Sequence, residues 1–252
     1  MVMWIVILLG IIQGITEFLP VSSSGHLVLL EKIFSLDFDL TLVNVILHFA
    51  TLIAVMLYYR KTLFYLICHP FCKMNKYLVV ATIPAVVMVL LFHSLIERYL
   101  TSSVTLALGF MLSAVFLSTG IYLSKKSAPH ALNYQNVIIM GIAQSFAIFP
   151  GLSRSGTTLS FGLMSGVEKN SALDFSFLMS IPIILASLIF ELLSPGFSLN
   201  GIDIISLLLS FVVAFVSAAI CLTLMKTLTK TNHLIYFVPY LIGLSLIAII
   251  FL

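Results

Sequence analysis

The amino-acid sequence predicts an all-α integral membrane protein with six transmembrane helices and two re-entrant helical hairpins. Of its 252 residues, 61% are hydrophobic and only 8% are charged, whereas a soluble domain is about 45–50% apolar and about 25% charged. Six apolar stretches are long enough to cross a bilayer, and two others are interrupted by proline and glycine. We therefore expect one membrane domain over residues 1–252, without a sizeable soluble domain.

The first predicted element is a re-entrant hairpin over residues 2–30. Its apolar run, 2–19, ends in "PVSSSGH", and a second apolar piece covers only 27–30. Because proline and glycine break the helix between the two pieces, we expect the chain to enter and leave the membrane on the same side. Irregular backbone at membrane depth is tolerated only where protein or water covers it, so this break is a candidate site.

Three spans follow, then a second hairpin and three more spans. The second hairpin pairs residues 136–149 with 159–164 around the break "PGLSRSGTT". Each span has about 20 mostly apolar residues, the length that crosses a bilayer. The six spans cover 40–59, 77–95, 104–123, 175–193, 202–222 and 234–252.

The two halves of the sequence resemble each other. A shift of 131 residues places "GIIQ" on "GIAQ" and "SSSG" on "SRSG". Each half, 1–123 and 136–252, then consists of one hairpin and three spans. Because three is odd, the second half must be inverted in the membrane. Inverted repeats place their site at the interface of the repeats, near the middle of the bilayer.

The basic residues predict the orientation of the chain. If loop 60–76 is cytoplasmic, nine Lys and Arg residues fall on that side and only Lys32 and Arg98 on the other. Cytoplasmic loops carry the excess of Lys and Arg in membrane proteins. We therefore expect a multi-pass protein of the cytoplasmic (inner) membrane, with its N-terminus and the opening of its site on the outer face.

The break in the first hairpin carries the side chains of a polar site. Gln13 and Glu17 are four residues apart and so share a helix face. Pro20 ends that helix, and the serine run 22–24 then leads to His26. Histidine titrates near working pH and can carry protons, so His26 is a candidate general acid or base, or a nucleophile. Its rival as nucleophile is Ser23, and the sequence leaves this choice open.

The break in the second hairpin adds a cation and more hydroxyl groups. Arg154 lies among serines and threonines, and an arginine at the bilayer centre costs about 2.5–3.5 kcal/mol on insertion scales. Serines before a helix are N-cap residues, and helix N-termini bind anions. Facing hairpins would bring two such termini together, with Arg154 as a forked donor for phosphate. The candidate substrate-binding residues are Gln13, Ser22, Ser24, Ser153, Ser155 and Thr158.

Two other interpretations of these breaks stay open. Glu17 and Arg154 could form a purely structural ion pair between the hairpins, but this would leave the hydroxyl groups and His26 unexplained. A transporter or flippase for an anion or lipid phosphate could also use an inverted-repeat pocket. The cluster Glu17, Ser23, His26 and Arg154 is richer than anion binding requires, which favours phosphoryl transfer.

At these two breaks the sequence resembles the undecaprenyl-pyrophosphate phosphatases, the bacitracin-resistance family. The stretch "QGITEFLPVSSSGH" is similar to the family pattern [E/Q]-x-x-x-E followed by P-V-S-S-[ST]-G-H. The stretch "PGLSRSGTT" is similar to its pattern P-G-x-S-R-S-x-x-T. Gln13 stands where many members have glutamate, and it cannot ionise. The resemblance extends over nearly the whole chain.

This resemblance implies the activity and the site. It implies hydrolysis of undecaprenyl or another polyprenyl diphosphate to the monophosphate and inorganic phosphate, which recycles the lipid carrier for cell-wall synthesis and confers bacitracin resistance. It also implies that six residues match functional positions of the family: Glu17, Ser23, His26, Ser153, Arg154 and Thr158.

The expected partners are the lipid substrate and the bilayer. The family implies a divalent cation, Mg²⁺ or Ca²⁺, for which Glu17 is the candidate ligand, and we expect no organic cofactor. The net charge of +3 is small and does not indicate nucleic acid binding. The oligomeric state is open, and a homodimer is compatible with the sequence.

Overall fold

The computed structural model describes residues 2–36, 40–99, 102–193 and 203–251. Within these ranges the chain folds into helices and turns, and the only β-type pairing is an isolated bridge between His130 and Val167. The helices, in chain order, are α1 (Val2–Thr16), α2 (Ser23–Ile33), α3 (Thr41–Tyr58), α4 (Arg60–Cys68), α5 (Lys73–Tyr99), α6 (Ser103–Ser124), α7 (Tyr134–Phe146), α8 (Arg154–Met164), α9 (Lys169–Leu193), α10 (Ile204–Lys230) and α11 (Phe237–Phe251). A 3₁₀ turn, His233–Tyr236, precedes α11.

Six of the described helices are long and apolar enough to cross a membrane, which confirms the six predicted spans. They are α3, α5, α6, α9, α10 and α11 with its preceding turn. Helices α5, α6 and α9 extend beyond their predicted apolar stretches, and α10 continues past residue 222 to Lys230. The Asp203 carboxylate accepts from the Ser206 N–H at 3.3 Å and so starts α10. The predicted start of this span at 202 lies outside the described residues.

One helix was not predicted. Residues 60–76 were expected to form a loop, but Arg60–Cys68 form α4. This segment is too short and too charged to cross a membrane. Hydropathy predicts spans, so it does not predict the local structure of such a segment. The Asn75 amide donates to the Leu66 carbonyl at 2.8 Å and ties the end of α4 to the start of α5.

The two polar breaks separate two pairs of short helices. Residues 17–22 connect α1 to α2, residues 147–153 connect α7 to α8, and the members of each pair pack against each other. Ser22 and Ser153 are the N-caps of α2 and α8. Their hydroxyl groups accept from the N–H of Gly25 at 3.2 Å and of Gly156 at 3.1 Å. These caps explain why both helices begin earlier than their apolar pieces.

The two halves also use corresponding packing partners. Helix α1 packs mainly on α10, and α7 packs mainly on α5. Helix α3 contacts α10, and α9 contacts α5. In the repeat, α1 corresponds to α7, α3 to α9 and α5 to α10. The pair of α1 and α10 therefore corresponds to α7 and α5, and the pair of α3 and α10 to α9 and α5. The inverted orientation of the halves and the re-entrant path of the short helices in the bilayer stay predictions.

Helix α6 holds the second break in place. A Cβ on Gly109 would lie 2.2 Å from the Pro150 carbonyl oxygen, so only glycine allows this approach. One turn later, the Ser113 hydroxyl accepts from the Ser153 N–H at 2.8 Å. Gly151, between them, has a φ of 83°, which favours glycine. The start of α8 is therefore fixed from outside its own hairpin.

We expect Gly109→Ala to destabilise the protein because the added methyl group would push α6 away from the break. Overpacking of this kind costs about 1–3 kcal/mol. Gly243→Ala on α11 is the matched control, since a Cβ there would meet nothing within 4 Å. The measurement is the thermal midpoint of each purified variant in the same detergent. Equal midpoints for the two variants would contradict the close contact.

Candidate active site

The two polar breaks meet in the structure. Arg154, the first residue of α8, donates from Nη2 to Oε1 of Glu17 in the first break. The Ser155 hydroxyl donates to the Leu19 carbonyl at 2.8 Å. An ion pair and a hydrogen bond therefore join two segments that are more than half the chain apart.

Glu17 is the centre of this cluster. Its side chain is buried, and besides Arg154 it accepts from two further donors. The Gln13 amide donates to Oε2 at 3.0 Å, which confirms that Gln13 and Glu17 share a helix face. The Ser23 hydroxyl donates to the same oxygen at 2.7 Å. A buried carboxylate needs such compensation, because it has lost its hydration.

Ser23 has the geometry of an activated nucleophile. Its hydroxyl proton points at the Glu17 carboxylate, at hydrogen-bond distance, and its side chain lies on a cavity wall. A carboxylate in this position can take the proton as the oxygen attacks. Ser23 is also the first residue of α2, so its oxygen lies where the helix start favours negative charge.

The cavity beside this cluster has a volume of about 320 Å³, and its polar end is the part that the two breaks line. Its polar lining includes Glu17, Ser22, Ser23, Ser24, Ser153 and Arg154. Its apolar lining comes mainly from two spans, Ala85 to Leu90 of α5 and Ile183 to Phe190 of α9. Such a cavity fits a ligand with a charged head and an apolar tail.

The polar end offers donors for an anion. The starts of α2 and α8 both lie there, and the first-turn N–H groups of a helix have no acceptor within the helix. The Nη1 atom of Arg154 is buried and has no hydrogen-bond partner in the part of the chain that the structure describes. Since Nη2 already binds Glu17, Arg154 can hold the carboxylate and an anion together.

His26 is not among the residues that line the cavity. Its Nδ1 is 2.7 Å from the Ser22 carbonyl oxygen, and its Nε2 is 2.7 Å from the Tyr240 hydroxyl. Tyr240 stacks on the imidazole, and Phe110 meets its edge. These contacts hold the turn at Ser22, whose φ is 67°. The predicted roles of His26 as nucleophile or proton carrier stay predictions.

Three predicted substrate-binding residues face the protein and not the cavity. Gln13 is held by Glu17, and Ser155 binds the first break. The Thr158 hydroxyl is buried, 2.6 Å from the Ser176 hydroxyl of α9. In this structure these groups position the machinery, and their direct contacts with phosphate stay predictions. The other predicted residues, Ser22, Ser24 and Ser153, do line the cavity.

Several cavity residues were missed by the sequence reasoning. His48 of α3, Gln144 and Ser145 of α7 and Ser187 of α9 lie on the wall. Gln144 carried a signal, because the repeat aligns it with Gln13. His48, Ser145 and Ser187 lie inside apolar helices. A single polar residue is common in such helices, and no short sequence pattern marks these three as site residues.

The described side chains do not form a site for a resident metal ion. None of them belong to a group of three or more His, Cys, Asp and Glu residues that could hold a metal. Glu17 is the one carboxylate among the described wall residues, and three donors already occupy its oxygens. Hard cations take six or more oxygen ligands, so the predicted metal contact of Glu17 needs oxygens from a substrate.

Comparison with known proteins identifies the family. The sequence matches the family described as BacA, bacitracin resistance protein BacA, over residues 6–247, a range that includes both breaks. It is 41% identical over 189 residues to undecaprenyl-diphosphatase 3 of Bacillus cereus, covering 73% of this chain and 71% of that protein. It is 34% identical over 266 residues to undecaprenyl-diphosphatase 1 of Shouchella clausii, covering 97% of this chain and 95% of that protein. This chain belongs to the BacA bacitracin-resistance family.

Proposed function

We propose that this protein hydrolyses undecaprenyl diphosphate, or a similar polyprenyl diphosphate, to the monophosphate and inorganic phosphate. The relatives named undecaprenyl-diphosphatase support this activity. The observation that carries it is the cluster of Arg154, Glu17 and Ser23 at the polar end of a cavity that α5 and α9 line with apolar side chains. Such an enzyme recycles the lipid carrier of cell-wall synthesis and so confers resistance to bacitracin.

The shape of the cavity suggests how the substrate binds. The diphosphate lies at the polar end, where Nη1 of Arg154 and the starts of α2 and α8 donate to its oxygens. The prenyl tail lies along α5 and α9. Leu90 of α5 lines the cavity and is also exposed, so the apolar part of the cavity opens to the surface that would face lipid. The tail therefore stays in contact with the bilayer while the head reaches the cluster.

Ser23 attacks the terminal phosphorus, and Glu17 takes its hydroxyl proton. A bond forms between Oγ of Ser23 and phosphorus, and the bond to the bridging oxygen breaks, which releases the polyprenyl monophosphate. Water then attacks the phosphoserine, releases inorganic phosphate and restores the hydroxyl group. Arg154 neutralises charge on the phosphoryl oxygens. Arg154 keeps Glu17 in place through Nη2 while its Nη1 donates to a phosphoryl oxygen.

A divalent cation would come to the site with the substrate. When bound, it would neutralise part of the charge of the diphosphate. Its ligands would be phosphate oxygens, water and Glu17, because the chain alone offers too few oxygens. Arg154 and Ser23 act as described whether or not the cation is required.

We expect the substrate-free protein to show no saturable binding of Ca²⁺ or Mg²⁺ that depends on Glu17. In the presence of a non-hydrolysable polyprenyl diphosphate, binding is expected to appear. Isothermal titration of the wild type and of Glu17→Gln, with and without this analogue, measures both. Tight binding to the substrate-free wild type that Glu17→Gln abolishes would show that the chain holds its own metal.

The orientation follows from the same features. The excess of Lys and Arg on the side of loop 60–76 supports an opening on the outer face of the cytoplasmic membrane. Dimer formation stays an open prediction.

The test is phosphate release from undecaprenyl diphosphate by the purified protein in detergent, with and without divalent cations. We expect release from the diphosphate and none from the monophosphate, because the mechanism leaves a monophosphate. A folded wild type that releases no phosphate under either condition would overturn the proposal. Transport of an anion or lipid phosphate through the same cavity would then be tested by flux in liposomes.

A further inference from the structure

Gln144 is a buried cavity residue that the mechanism does not use. It lies near the end of α7, only 3% of it is exposed, and it belongs to the cavity wall. Neither its Oε1 nor its Nε2 has a hydrogen-bond partner in the described ranges. A buried amide without partners costs free energy, and such groups in native proteins call for an explanation.

The repeat shows why this amide lacks a partner. Gln13, the corresponding residue of the first half, donates to Glu17, four residues further on. Four residues after Gln144 the chain has Ile148, which also lines the cavity. The two glutamines therefore start from equivalent places, but only Gln13 has a carboxylate to bind. The amide of Gln144 is left for a group that enters the cavity.

The surroundings of Gln144 indicate what that group is. Arg154, whose Nη1 also has no partner in the described ranges, belongs to the same cavity wall, so two residues of this wall carry unsatisfied donors. Two donors call for a ligand with several acceptor oxygens, such as phosphate. Helix α7 packs mainly on α5, which supplies part of the apolar wall. Gln144 thus shares the cavity wall with the polar cluster, and its helix packs on one of the two spans assigned to the tail.

We propose that Gln144 determines specificity by binding the phosphate that remains on the lipid. Its Nε2 donates to a non-bridging oxygen of that phosphate, and its Oε1 accepts from a protonated phosphate oxygen or from water. Ser23 and Arg154 act on the terminal phosphate, so the two phosphates have different partners. This inference rests on the proposed phosphatase function and adds a residue for the lipid-linked phosphate.

The kinetic signature distinguishes this role from a catalytic one. The lipid-linked phosphate is common to the substrate and the lipid product, so Gln144 binds both to a similar extent. Loss of such uniform binding raises KM and leaves kcat nearly unchanged. A hydrogen bond to a charged group contributes about 1.5–3 kcal/mol, which corresponds to at least a tenfold loss of affinity.

The experiment compares Gln144→Leu with the wild type and with Gln135→Leu, an exposed position on the same helix. For Gln144→Leu we expect about a tenfold rise in KM. The inhibition constant of polyprenyl monophosphate should rise by the same factor, while that of inorganic phosphate stays unchanged. The wild type and Gln135→Leu should agree in all three values.

A stability measurement separates this proposal from a structural role. Gln144→Leu removes a buried amide without breaking a hydrogen bond, so its thermal midpoint without substrate should not fall. Gln144→Glu keeps the shape and repels phosphate, so it should raise KM further. Unchanged KM and inhibition constants in both variants, beside an active wild type, would overturn the inference. An inactive wild type would instead count against the proposed function.

Discussion

Ser23→Ala is expected to reduce kcat for phosphate release by about 10³-fold or more while the protein still folds, because the nucleophile is lost. The Ser23 hydroxyl contributes one hydrogen bond to Glu17, and this carboxylate keeps Gln13 and Arg154 as partners. Alanine is a good helix residue at the start of α2, so the stability of the protein should change little.

The control for Ser23→Ala is Ser118→Ala on α6. The Ser118 hydroxyl donates only to the Val115 carbonyl of its own helix, at 2.9 Å, and it is not on the cavity wall. Its activity should equal that of the wild type. Substantial phosphate release by Ser23→Ala would show that another group attacks phosphorus. His26 or a water molecule bound by Glu17 would then be the nucleophile.

The second large effect is expected at Arg154, where charge and shape can be separated. Arg154→Lys keeps a cation beside Glu17 but loses the planar fork that can reach the carboxylate and phosphate at once. We expect kcat to fall by about 10³-fold, as for other arginines that act on phosphoryl transfer. Arg60→Lys, at an exposed helix start, is the matched control and should be fully active.

Arg154→Ala should in addition destabilise the fold. Removing one partner of a buried ion pair leaves the other charge uncompensated, which costs about 3–5 kcal/mol. A second substitution, Glu17→Gln, would remove this charge, so the double variant should regain stability without regaining activity. The thermal midpoints of the wild type, the two single variants and the double variant form a double-mutant cycle. Phosphate release is measured for each of the four proteins. Equal stability of Arg154→Ala and the wild type would show that the pair contributes nothing to the fold.

The sequence was sufficient to predict the spans and the meeting of the two polar breaks. A helix that crosses the membrane must form all its backbone hydrogen bonds within one apolar segment. The length and hydropathy of that segment therefore identify the helix. Glu17 and Arg154 were predictable in the same way, since charges in apolar sequence need a partner or a ligand. The serines of each break also predicted the start of a helix.

Contacts between residues that are distant in the chain could not be predicted from the sequence. His26 binds Tyr240, a residue of α11 that no pattern around either one indicates. Asp174 accepts from the Tyr59 hydroxyl at 2.6 Å and pairs with Lys226 at 3.2 Å, which joins three spans. The contacts of His26 depend on such long-range packing. The sequence therefore left the choice between Ser23 and His26 open.

The stereochemistry at phosphorus tests the role of Ser23 most directly. The substrate is a polyprenyl diphosphate whose terminal phosphate is made chiral by sulfur and oxygen isotopes, and the configuration of the released thiophosphate is determined. Attack by Ser23 followed by attack by water inverts phosphorus twice, so we expect overall retention of configuration. Overall inversion would show a single attack by water and would contradict a phosphoserine intermediate at Ser23.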